Sequence, residues 1–169
     1  MVLPLEIRRL QIADVEDYRT IRLASLQTEP EAFGSAYEVE VARPLDSFVE
    51  RLASSVVFGA YTGGRIVGVA GFRQEISPKE RHKGVVWGVY VQPDARGQGV
   101  AAALIADIID SARTVVEQLT LTVVQGNDAA IALYRQFGFE TYGVEPRARK
   151  NLSGYVDKVL MVLDLRQSG

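Results

Sequence analysis

The segment Val89-Tyr90-Val91-Gln92-Pro93-Asp94-Ala95-Arg96-Gly97-Gln98-Gly99-Val100-Ala101 carries the clearest chemical signal in the chain. An apolar, strand-forming run ends at Pro93. A short polar turn follows, and Arg96-Gly97-Gln98-Gly99 opens a stretch with helical spacing. A strand that passes through a glycine-rich turn into a helix start presents unpaired backbone N–H groups to an anion. Glycine lets the main chain approach a phosphate with no Cβ in the way. The Arg96 guanidinium adds a charged donor suited to phosphate oxygens. The stretch reads as a pyrophosphate cradle, against the plainer reading of a turn that only permits tight packing. Two nucleotide patterns fail on the letters. The Walker loop needs a closing Gly-Lys-Ser/Thr, which is missing, and the dinucleotide fingerprint needs a third glycine where this chain has Ala102.

A second segment runs Asn127-Asp128-Ala129-Ala130-Ile131-Ala132-Leu133-Tyr134-Arg135-Gln136-Phe137-Gly138-Phe139. Asn127 is a good helix N-cap and Gly138 a suitable C′ residue. Asn127 and Tyr134 are seven apart and so share one helix face. A tyrosine in an arbitrary helix is most often a core aromatic, and an asparagine at a helix start often does nothing but cap.

Together the two segments resemble the GCN5-related N-acetyltransferase (GNAT) family. Val89-x-Val91-x-Pro93 followed by Arg96-x-x-Gly99-x-Ala101 looks like its acetyl-CoA signature. The Asn127–Phe139 segment looks like the stretch after its fifth strand. The resemblance implies acetyl-CoA as cofactor, held by main-chain N–H groups of Gly97, Gln98, Gly99, Val100 and Ala101, with Arg96 beside the pyrophosphate. It implies that Tyr90 and Val91 pair main-chain groups with the pantetheine arm, and that the Val91 N–H serves the thioester carbonyl. Asn127 would contact pantetheine, and Tyr134 would protonate the departing thiolate, which reverses the core-aromatic reading. The implied reaction is direct attack of a primary amine of a small molecule or peptide, through a tetrahedral intermediate. Such transfer needs an acid near the sulfur and proton management at the amine. By the same analogy Glu75 is the best-placed general base, ahead of Glu38 and His82, although a water chain can replace a single base. Phe33, Tyr37 and Glu38, between the first two helices, are candidates for acceptor contact, against the reading of an ordinary surface connection. Arg147, Arg149 and Lys150 could attract an acidic acceptor, against a solvated charged loop. The alternative function is a non-catalytic acyl-CoA-binding sensor, which needs the cradle but no acid; Tyr134 favours the enzyme.

Composition narrows the field. The 169 residues suit one domain with its own core, about 5–165. Basic and acidic side chains number 19 and 21, for a net charge of −2, which argues against a nucleic-acid binder built on phosphate contacts. With no cysteine and the single histidine His82, no thiolate nucleophile, disulfide frame or multi-histidine metal site is available. The longest apolar run, Val100 to Ala106, falls well short of the roughly 20 residues that span a bilayer. The N-terminus lacks the basic-then-apolar order of a signal peptide. The expectation is a cytoplasmic protein with no membrane partner, and the resemblance adds a homodimer.

The elements that must position these residues follow from periodicity. Leu5 to Leu10 reads as a strand. Asp14 reads as the N-cap of a helix carrying Val15, Tyr18, Ile21 and Leu26, which Pro30 ends. Residues 29 to 43 show weak periodicity. Pro44 starts a second helix with Leu45, Phe48, Val49 and Leu52 inward. Strands are expected over 56–61 and 66–72, joined by the Thr62-Gly63-Gly64-Arg65 hairpin. A loop follows over 73–83, then a strand over 85–91 with a bulge at Gly88. Val100, Leu104, Ile108 and Val115 are expected to line a helix, followed by a strand over 119–124, the Asn127 helix, and a short strand over 139–143. Residues 144–154 read as a basic loop, and 155–165 as a closing strand. The order βααβββαβαββ predicts an α/β domain of the GNAT fold, a mixed, mostly antiparallel twisted sheet of about seven strands with about four helices.

Overall fold

The computed structural model describes residues 3–166. The elements run β1 (Leu5–Arg9), α1 (Val15–Thr28), α2 (Tyr37–Val41), α3 (Leu45–Ser54), β2 (Val56–Thr62), β3 (Arg65–Gln74), β4 (Lys83–Val91), α4 (Val100–Ala112), β5 (Gln118–Val124), α5 (Asp128–Gln136), β6 (Glu140–Asn151) and β7 (Gly154–Asp164). The seven strands form one mixed sheet in the order β1-β2-β3-β4-β5-β7-β6. β1–β2, β2–β3, β5–β7 and β6–β7 pair antiparallel, and β4–β5 pairs parallel over Lys83–Gln118 to Val85–Thr120. The α/β class and element order match the expectation, with one addition. The weakly periodic 29–43 stretch contains a fifth helix, α2.

The described chain divides into two compact units. One holds the chain up to Arg73 together with Val86–Ser111; the other holds Gln74–Val85 together with the chain from Ala112 on. β4 therefore contributes Val86–Val91 to the first and Lys83–Val85 to the second.

In the first unit, α1 and α3 turn their apolar stripes onto β1–β4. Tyr18, Ile21, Phe48, Leu52, Val57, Tyr61, Val69 and Tyr90 form one buried cluster. Tyr18 and Phe48 meet edge to face at 6.1 Å, which adds to the area that they remove from water. The Thr62–Arg65 hairpin forms as expected, with positive φ at Gly63 and Gly64. Gly68 on β3 is required by close approach, because a Cβ there would lie 3.0 Å from Val100 Cγ1 and 3.3 Å from the Tyr90 carbonyl. That absence seats the first turn of α4 against the strand.

Asp14 sits at the N-cap position of α1, as expected, but its side chain makes no capping hydrogen bond to that helix. Its carboxylate accepts the Gln11 N–H at 2.7 Å and Arg8 Nη1 at 2.9 Å, closing a 3-10 turn over Ile12–Asp14 that leads into the helix. Burial would raise its pKa, but these donors outweigh it and hold the carboxyl below the usual range.

In the second unit β5, β7 and β6 form an antiparallel ladder whose buried residues include Leu119, Leu121, Val123, Val159 and Met161. Val115, expected on the α4 stripe, lies past the helix end and is half exposed, because α4 stops at Ala112. Residues 144–151 are not a loop: they continue β6, which turns at Asn151–Gly154 into β7. The register shifts between Glu145 and Arg149, where Arg147 takes φ 48° and donates its N–H to Asp157 Oδ1 at 2.8 Å. Polar side chains are tolerated there because β6 is an edge strand, exposed along most of its length. Among the described residues, no helix is long and apolar enough to cross a membrane.

Candidate functional site

The glycine turn has the geometry that the sequence implied. β4 ends at Val91, a 3-10 turn covers Pro93–Ala95, and α4 starts at Val100. Gly97 and Gly99 sit at φ 75° and 78°, and a Cβ on either would meet nothing within 4 Å. This main chain is therefore shaped by left-handed glycines and faces open space. The first helical bond is donated by Ala103 N–H to Gly99 O at 3.0 Å, so the amides before it have no partner inside the helix. Gly97, Gln98 and Gly99 are exposed and Ala101 is half-buried. Val100 can serve only through its main chain, since its side chain is core.

The structure brings Tyr90, Val91 and Arg96 together. Arg96 Nε donates to the Val91 carbonyl at 3.0 Å, its Nη2 meets Glu29 Oε1 at 2.7 Å, and its guanidinium lies 5.9 Å from the Tyr90 ring centroid. Arg96 thus ties the turn back to the end of β4. The Tyr90 ring is buried, with its hydroxyl donating to Gln92 Oε1 at 3.1 Å, so any contact with a ligand would run through the backbone. Gly88, at φ 67°, provides the irregularity in β4 that its sequence position suggested.

In the second unit Asn127 caps α5, its Oδ1 accepting the Ala130 N–H at 3.3 Å. Tyr134, seven residues on, is 7% exposed and packs edge to face with Phe139 at 5.8 Å. Its hydroxyl has no hydrogen-bond partner among the described residues. Burial pushes the phenol up to about 12, so it is a protonated donor across the physiological range. Gly138 closes the helix at φ 96°, donating to the Arg135 carbonyl. Glu75 is half-buried just past β3, its N–H donating to the Lys83 carbonyl at 2.9 Å. The exposed His82 uses its carbonyl to anchor Glu117 and Gln118. Arg147, Arg149 and Lys150 lie along β6. Lys150 covers the Tyr155 ring at 5.4 Å, and burial lowers the Arg149 pKa.

The acceptor-side candidates separate. Phe33 lies under the Arg22 guanidinium at 5.5 Å, and both Phe33 and Tyr37 pack against the core cluster of the first unit. Glu38 is exposed, whereas Glu40, two positions further on α2, is 1% exposed. Its carboxylate takes Arg22 Nε at 3.2 Å and Nη2 at 3.0 Å, and Arg51 Nη1 at 2.7 Å. Burial alone would raise its pKa. Hydrogen bonds from Arg22, Ser35 and Arg51 overcome that and bring it to about 2. The sequence reading missed Glu40, Arg22 and Arg51. The one available signal was an acidic residue opposite in helical phase to Glu38, since positions two apart on a helix face different ways.

Comparison with known proteins agrees with this arrangement. Residues 19–139 match the Acetyltransferase (GNAT) family. The chain is 34% identical over 114 residues to the N-alpha-acetyltransferase RimI of Mycobacterium tuberculosis, covering 67% of this chain and 64% of that protein. It is 30% identical over 112 residues to an L-methionine sulfoximine/L-methionine sulfone acetyltransferase of Pseudomonas aeruginosa, covering 65% of this chain and 64% of that protein. Its match thus spans somewhat under two thirds of the length of these relatives. The L-amino acid N-acetyltransferase AaaT of Escherichia coli is 28% identical over 155 residues, 88% of this chain and 93% of its own. The structure of yncA, a putative acetyltransferase from Salmonella typhimurium with its cofactor acetyl-CoA, superposes with a TM-score of 0.84 at 20% identity over 98% of this chain and 96% of its own. The left-handed turn ahead of α4 and the capped helix that carries Tyr134 both lie within the matched segment, and the chain belongs to the GNAT acetyltransferase family.

Proposed function

We propose that the protein is an N-acetyltransferase that moves an acetyl group from acetyl-CoA to a primary amine of a small molecule or peptide. The observation that carries this reading is the open main-chain turn at Gly97 and Gly99 inside the family-matched segment. The turn fits a diphosphate, since its glycines leave room at both Cβ positions and the α4 dipole favours an anion there. When bound, acetyl-CoA supplies the acetyl thioester.

The chain's own groups do the rest. The N–H groups of Gly97, Gln98, Gly99, Val100 and Ala101 bind the diphosphate, and Arg96 holds the turn to Val91. Tyr90 and Val91 align the pantetheine arm through main-chain groups, and the Val91 N–H polarises the thioester carbonyl. Asn127 contacts pantetheine from the α5 cap. The Tyr134 hydroxyl holds the proton that the departing sulfur needs, and Glu75 or a water takes the proton from the amine. Phe33, Tyr37 and Glu38 are proposed to border the acceptor. Free amino acids fit the acceptor role, as the names of the Pseudomonas and Escherichia relatives suggest. The proposed setting is the cytoplasm, with a homodimer as the assembly, which sedimentation equilibrium tests.

A panel of amines with acetyl-CoA, followed by free-thiol release and mass analysis of the amine, tests the function. Amine-dependent thiol release with acetylated product supports it; cofactor binding without transfer to any amine removes it. Gly99→Ala probes the cradle. The left-handed φ costs a Cβ-bearing residue about 1–2 kcal/mol, so the melting temperature should fall by only a few degrees. Affinity for coenzyme A should fall at least five-fold by calorimetry, because the relaxed turn withdraws its amides. Unchanged affinity would remove the turn from the cofactor site.

A further inference from the structure

A cavity of about 370 Å³ in the first unit is lined by Arg22, Arg43, Arg51, Arg73, Glu40 and Trp87, with three serines. We propose that it binds the carboxylate of the acceptor, so that the amine to be acetylated belongs to a molecule with a free acid. The proposal rests on the acetyl-transfer reading above.

Four arginines and one glutamate line the cavity. Glu40 satisfies Arg22 and Arg51, and both are largely buried with it. It does not account for the others. Among the described residues, the side chains of Arg43 and Arg73 have no ion pair or hydrogen bond, and both are exposed at the rim. Trp87 lines the cavity with its ring, and its indole N–H is buried without a partner among the described residues. A structural ion cluster explains the Glu40 trio and leaves two lining arginines, Arg43 and Arg73, without a partner.

The unpaired groups are guanidiniums, which only donate and carry a fixed positive charge. Their complement is a compact group rich in acceptors and negatively charged, and a planar carboxylate matches the guanidinium fork. An ammonium group would meet an excess of positive charge. The cavity also adjoins the left-handed glycine of β4. Trp87 precedes Gly88, where a Cβ would lie 3.7 Å from Arg22 Nη1, and the same strand continues to Val91. The anion site and the main chain assigned to the thioester therefore share one strand, which suits an acceptor held by its acid and attacked through its amine.

Trp87 is the single tryptophan of the chain, so its fluorescence reports on the cavity without any turnover. Titration with L-amino acids should give a saturable change. Their carboxamides, an amidated tripeptide and sodium sulfate at equal ionic strength should not. In acetyl transfer, kcat/KM for the acids should exceed that for the carboxamides at least ten-fold. Arg73→Gln should raise KM for the acids at least ten-fold, with KM for the carboxamides and for acetyl-CoA changed less than two-fold. Arg43→Gln should act in the same direction, and because both side chains are exposed each variant should keep the native melting temperature. Equal use of acids and carboxamides, or equal fluorescence response to sulfate, would overturn the proposal while leaving acetyl transfer intact. A saturable response to acids that Arg73→Gln abolishes, with no amine acetylated, would keep the carboxylate site and remove the acetyl-transfer reading.

Discussion

Tyr134→Phe should lower kcat by about 10²-fold, the lower end of what a positioned general acid contributes, with KM for acetyl-CoA changed less than two-fold. The separation between the two constants follows from the environment of the residue. The ring packs against Phe139 and is 7% exposed, and phenylalanine keeps that contact. The hydroxyl makes no hydrogen bond among the described residues, so removing it should leave the fold and the resting site nearly unchanged. Only a step that uses its proton should suffer. The pH dependence provides a second check. Burial raises the phenol from the ordinary tyrosine value of 10.0 to about 12. The acid therefore stays protonated through pH 10, and wild-type kcat should show no alkaline fall from this group up to that point. The corresponding stability contribution is present below pH 10 and is lost as pH rises toward 12. A variant with wild-type kcat would remove Tyr134 from the mechanism.

How much of the site was legible depended on how local its causes are. The turn at Gly97 and Gly99 could be read because left-handed φ selects glycine residue by residue, and the Asn127 cap because its hydrogen bond reaches only to Ala130. Phe33 and Tyr37, expected by analogy at the acceptor, pack on the core of the first unit, whereas Glu38 faces solvent. The acid that matters structurally, Glu40, joins residues 18 and 11 positions away. No local pattern encodes such pairing, since it exists only once α1, α2 and α3 have packed.

The β6 segment was misread for the opposite reason. Pro146, Arg147, Arg149 and Lys150 look like loop chemistry. They also fit an edge strand, where charge, a bulge and proline discourage further pairing. Composition alone cannot separate the two, because both expose the same side chains. The hairpin partner β7, with its alternating apolar residues, was the better guide, since its length of 11 residues demands a comparably long neighbour.

The largest stability effect is expected at Glu40→Gln. The substitution keeps the volume but leaves the Arg22 and Arg51 guanidiniums, 11% and 20% exposed, facing a neutral amide. Removing one partner of a buried ion cluster typically costs about 3–5 kcal/mol. For a chain of this length that corresponds to a fall in melting temperature of roughly 6–20 °C. Glu38→Gln, on the exposed side of the same helix, should change stability by less than about 0.5 kcal/mol. The wild-type protein should show the same interaction through pH. The Glu40 pKa is depressed from 4.5 to about 2, so its contribution is complete above about 4.5 and is lost as pH falls toward 2. That separation amounts to about 3 kcal/mol. Urea unfolding of wild type and Glu40→Gln at pH 7 and pH 3 should therefore converge in acid. Arg51→Met combined with Glu40→Gln should recover part of the loss, because it removes one of the orphaned charges. If the single variant matched wild type at pH 7, Glu40 would not be what holds α2 to α1 and α3, and the cavity beside it would need another support.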